Sequence, residues 1–144
     1  IVSAYMEYVL MHEKTPKSVY KFAKEHAMTE AEFYAFFGSF EGLQRGIWTA
    51  FFDNAMHLGQ KNPEYEGFSN QEKMLTFFFT FFELLTANRS YVMFALKEHP
   101  DMMKNMSQLK NLRLHVREFA GTLINEKNCT LYTSDDTDDQ TCTD

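Results

Sequence analysis

Apolar side chains recur along this chain at the three- and four-residue spacing of a helix nearly from end to end, and no stretch alternates at the two-residue spacing of a strand. With only 3 Pro and 6 Gly in 144 residues to interrupt it, that pattern restricts the chain to an all-α fold. At 44% hydrophobic and 24% charged residues, a core is within reach without disulfide staples. The two cysteines, Cys129 and Cys142, lie together near the end of the chain and do not form a cross-linking framework, which fits a reducing, cytoplasmic setting. No run approaches the roughly 18 apolar residues of a membrane span, and no secretion signal precedes the first helix.

The net charge of −6 is unevenly spread. Residues 1–60 carry 5 basic and 7 acidic groups, residues 61–127 carry 9 and 8, and residues 128–144 carry none and 5. The body is close to balanced, so it neither repels nucleic acid nor offers it a broad basic field. Residues 127–144 are rich in Thr, Ser and Asp and read as an acidic, disordered tail.

Helix boundaries follow from local chemistry. A first helix places Ile1, Tyr5, Tyr8 and Val9 on one face and ends near Met11. A second is expected to start at Thr15 and Pro16, burying Val19, Phe22 and Ala23. Thr29 to Glu32 reads T-x-x-E, a capping box, with Met28 and Phe33 placed as its hydrophobic staple. Gly38 is expected to close this third helix, and Ser39 to cap a fourth that carries Leu43, Ile47, Trp48, Phe51, Phe52 and Leu58. Residues 59–68 read as a loop, Ser69 to Glu72 as a second capping box, and Asn88 to Ser90 as a break before a short helix at 91–96. Pro100 and Asp101 mark a stop and restart before a seventh helix that runs to about Glu126.

Three short helices, the second and third joined by a tight turn, describe a helix-turn-helix in which the third enters the major groove. The stretch VYKFAKEHAMTEAEFYAFFGSFEGL, Val19 to Leu43, resembles the DNA-binding signature of the TetR family of transcriptional regulators. The resemblance rests on Phe22-Ala23, on the pairs Phe33-Tyr34 and Phe36-Phe37, and on Gly38-Ser39 followed by Glu41 and Leu43. It implies a homodimer that reads a palindromic operator with residues 1–38, and a helical effector and dimerisation domain over 39–126 that takes a small apolar effector. Ala27 stands where the family's turn usually holds Gly, and Phe40 stands where a phosphate-binding Lys commonly opens the fourth helix. Candidate DNA contacts are Thr15, Lys17, Ser18, Lys21, Thr29, Glu30 and Tyr34, with Lys14 and Lys24 beside them. Against these stand plainer roles: the lysines as a solvated face, Tyr34 as a packing residue, and Glu32 as the capping carboxylate.

In MLTFFFTFFELL, Met74 to Leu85, nine of twelve residues are apolar and five Phe fall between Phe77 and Phe82. A helix apolar all round must be surrounded, either by core and a dimer seam or by a ligand as well. The candidate ligand-binding residues are Trp48, Phe52, Phe78, Phe82, Tyr91 and Phe94. Catalysis is not expected. The five histidines form no H-E-x-x-H pattern, no Gly-rich phosphate loop or nucleophile elbow occurs, and neither a metal nor a cofactor is implied. The reading is a TetR-like, ligand-responsive regulator. The alternative is a chain of the same fold that has lost DNA binding and holds a lipid or a partner; Glu30, Glu32, Ala35 and Phe40 point that way.

Overall fold

The computed structural model describes residues 1–97 and 107–131, with backbone alone for 126–131. Within those residues the fold is all-α and holds no strand. The helices are α1 (Val2–His12), α2 (Val19–Glu25), α3 (Glu30–Phe36), α4 (Phe40–Gln60), α5 (Asn70–Ala87), α6 (Arg89–Lys97) and α7 (Lys110–Leu131), with a 3-10 turn at Tyr65–Gly67. None of the described helices is long and apolar enough to cross a membrane.

The caps explain most of the starts. Thr29 accepts the Glu32 N–H at 3.2 Å while the Thr29 N–H donates to the Glu32 carboxylate at 2.6 Å. Ser69 and Glu72 repeat the exchange at 3.3 and 2.8 Å, and Ser39 accepts from Gly42 N–H at 3.1 Å. Each such oxygen satisfies an amide that the first helical turn leaves without a partner, a contribution of about 1 kcal/mol.

Several boundaries differ from expectation. α2 starts at Val19 because Ser18, extended at φ −153°, accepts the Lys21 N–H at 3.3 Å, whereas Pro16 is buried in the preceding link. Gly38 does not adopt a left-handed cap; α3 ends because Phe37 turns extended, at φ −137°. The Phe37 ring then lies over Gly46, where a Cβ would stand 2.9 Å from it. α4 continues past the expected loop start, so Gly59 is a buried helical residue against Thr76 and Tyr65, while Leu58 faces outward. α7 runs to Leu131 rather than stopping near Glu126, since no Gly or Pro interrupts residues 122–131 and each added residue gains a hydrogen bond. The stop and restart at Pro100 and Asp101 and the tail beyond 131 lie outside the described residues.

Two aromatic centres make the core. Around α1, α2 and α3, Phe22 is met edge-on by Tyr5, Tyr8, Phe33 and Phe40 with centroids 5.7–6.3 Å apart, and Tyr5 stacks on Phe40 at 5.8 Å. Each edge-to-face pair adds about 0.5–1.5 kcal/mol to simple burial. In the body, Phe77 contacts Phe52 at 5.1 Å, Phe119 at 5.4 Å and Phe81 at 5.5 Å, which joins α4, α5 and α7. The side chain of Asn70 donates to the Leu123 carbonyl, so α5 and α7 run antiparallel. α1 packs on α6, and thereby the first three helices meet the body.

Candidate nucleic-acid interface and effector surfaces

α2 and α3 meet through the turn His26–Met28. Its geometry depends on Ala27, which holds the left-handed φ of 52° that the family's glycine would adopt without strain. The Met28 N–H donates to Ala23 O at 3.0 Å, closing the turn behind α2. Phe33, fully buried, anchors α3 to Phe22, and the other residues of α3, Glu30, Tyr34 and Phe36 among them, are exposed. The Phe33–Phe22 contact and the turn at Ala27 therefore set the tilt of an outward-facing helix.

The candidate DNA contacts fall into two groups. Lys17, Lys21, Glu30 and Tyr34 are exposed, Tyr34 to 52%. Thr29 and Ser18 are engaged as helix caps, and Thr15 is half-buried in the link before α2. Glu32 is the capping carboxylate: the Thr29 backbone N–H first, and its hydroxyl second, hold it below the usual carboxylate range. Phe40 packs against Tyr5, Phe22 and Phe33. Phe40 is thus a partly buried packing residue at the start of α4.

The six candidate ligand residues are not gathered into one cavity. Trp48, Phe52 and Tyr91 are core residues. The indole N–H of Trp48 is buried with no hydrogen-bond partner among the described residues. Phe78 and Phe82 point outward on α5, the second of them 60% exposed. With Leu75 and Phe79 they form one continuous apolar stripe, since positions 75, 78, 79 and 82 share a helical face. Phe94 is half-buried and lines a groove between α1 and α6 together with Met93. Leu10, Glu13, Ser90 and Lys97, which line the same groove, carry no signal in the sequence, because the site exists only once two helices some eighty residues apart are juxtaposed.

Comparison with known families finds a partial match. Residues 73–140 match the family model of the tetracyclin repressor-like C-terminal domain. This supports a TetR-like family. The match spans α5, α6 and α7 and runs on through most of the acidic end of the chain. No curated protein and no solved structure matches the chain.

Proposed function

We propose that the chain is a TetR-like, ligand-responsive transcriptional regulator that binds operator DNA as a homodimer. Residues 1–38 serve as the reading unit and residues 39–126 as the effector and dimerisation unit. The observation that carries this reading is the pairing of a TetR-like body with an α2–α3 unit whose turn holds a left-handed residue at Ala27 and whose third helix turns a free face to solvent. Lys17, Lys21 and Tyr34 meet phosphates, and the first turn of α3 approaches base edges. The alternative, a chain of this fold without DNA binding, gains nothing from the C-terminal match.

The stripe Leu75, Phe78, Phe79 and Phe82 is the seam between two copies. A two-fold axis lets the same patch serve both partners, and a stable interface needs about 800 Å² from each. Effector binding shifts the pair between two separations of its reading helices, by as much as the ligand's affinity differs between the two states.

The test is binding of a duplex from the gene's own upstream region, followed by fluorescence anisotropy between about 50 and 200 mM salt, where affinity should fall steeply. Lys17→Ala or Lys21→Ala should each reduce the slope by about 1. If genomic selection enriches no duplex while the protein is folded and dimeric, the reading fails.

A further inference from the structure

We propose that the groove between α1 and α6 binds an amphipathic carboxylate, an apolar chain ending in an anion, and that this groove, shared between α1 of the reading unit and α6 of the effector unit, is the effector site of the regulator. The regulatory half rests on the function proposed above, whereas the binding itself does not. The groove encloses about 820 Å³, within the roughly 300–1,000 Å³ of small-molecule sites. Val9 and Leu10 from α1 face Met93 and Phe94 from α6 across it, an apolar wall on each side. Lys14 and Lys97 line it as well, with Glu13 the one acidic residue beside them among the described residues.

A groove with apolar residues on both helices and two lysines to one carboxylate selects for two properties at once. A hydrocarbon body gains by leaving water along Phe94 and the adaptable Met93, and an anionic head gains from the two lysines while keeping much of its hydration, since both are exposed. A neutral lipid makes no use of the lysines, and a small polyanion makes no use of the walls. Glu13 holds φ 50°, a left-handed backbone that a non-glycine residue keeps only where its surroundings hold it. That conformation ends α1, and Lys14, the next residue, lines the groove. The location also supplies the coupling: α1 carries Tyr5 and Val9 into the core around α2 and α3, so a ligand wedged between α1 and α6 acts on the support of the reading helix.

The experiment is calorimetric titration of the full chain with dodecanoate, kept below its micelle concentration, with dodecan-1-ol and acetate as comparisons. Dodecanoate should bind at least tenfold tighter than the alcohol, and acetate should give no heat. Lys14→Gln combined with Lys97→Gln should abolish the preference and leave the alcohol unaffected. Met93→Trp should fill the groove and eliminate both, at unchanged circular dichroism; Leu10→Trp fills it from the other wall should Met93→Trp misfold. Equal binding of acid and alcohol, absence of dodecanoate binding, or dodecanoate binding that survives a folded Trp variant overturns the site. Duplex affinity in the same samples separates the two readings. Dodecanoate binding without any duplex binding removes the DNA reading and keeps the site, and duplex binding indifferent to saturating dodecanoate removes the effector role.

Discussion

The side-chain amide of Gln44 donates to the phenol oxygen of Tyr5 at 2.8 Å, a buried hydrogen bond that ties the first turns of α4 to α1. Gln44 is 5% exposed, so water cannot replace a lost partner. Tyr5→Phe should therefore destabilise the protein by about 1–3 kcal/mol, and combining it with Gln44→Leu should recover part of that loss. Urea denaturation of the two single variants and the double variant measures the coupling; a coupling below about 0.5 kcal/mol would contradict the assignment.

Ala27 is exposed at φ 52°, where its methyl group costs about 1–2 kcal/mol and has no contact that offsets it within the core. Ala27→Gly removes that strain but loosens the unfolded chain by about 0.4–1 kcal/mol. The net expectation is a gain of roughly 0.5–1 kcal/mol, a rise of about 2–4 °C in melting temperature. A lower melting temperature would mean that the turn does not hold its left-handed conformation in solution.

Two capping carboxylates give the protein an acid-sensitive component. Glu32 is held below the usual value of 4.5 by the Thr29 backbone N–H and then by its hydroxyl, and Glu72 by the Ser69 hydroxyl and then by its backbone N–H. A carboxylate lowered in the folded state stabilises it fully above that ordinary value and loses the effect as pH falls through the lower folded one. Stability should thus decline as pH falls below the ordinary value of 4.5, and Glu32→Gln or Glu72→Gln should each flatten the decline. Thermal melts across that range decide it, and an unchanged pH profile in both variants would contradict it.

Phe79 is 70% exposed on the α5 stripe, too much apolar surface for a solitary chain to present without purpose. Phe79→Glu should convert the proposed dimer to monomer at micromolar concentration without lowering helix content, because the side chain makes no contribution to the buried core. Sedimentation velocity reads the outcome. A dimer that survives Phe79→Glu together with Phe82→Glu lies elsewhere on the molecule.

The parts of the fold legible in the sequence are those written in short-range chemistry. Both capping boxes, the Ser39 cap and the buried faces of α1 and α4 follow from residues three and four apart, and so does the α3 start that Thr29 and Glu32 define. The start of α2 was obscured because Thr15-Pro16 and Ser18 offer competing local signals, and only burial of Pro16 chooses between them. The division of the five Phe of α5 into core and surface was equally hidden. Phe77 is buried because Phe52 and Phe119 reach it from other helices, and Phe81 stacks on it, whereas Phe78, Phe79 and Phe82 have no ring contact with another helix among the described residues. The α1–α6 groove lies further still from local reading, since no spacing rule relates Leu10 to Met93.

The seating of α1 bears on how such a chain can be recombined. Tyr5 bonds to Gln44 on α4, Phe40 stacks on Tyr5, and the same helix leans on α6. A chimera that transplants residues 1–38 onto a foreign body would carry a phenol and an aromatic face shaped for side chains left behind, and would lose both an amide partner and a stacking ring. Exchange of the proposed reading unit should succeed only when Phe40, Gln44 and the α1-facing side of α6 travel with it, so the interchangeable module is a set of contacts rather than an interval of the chain.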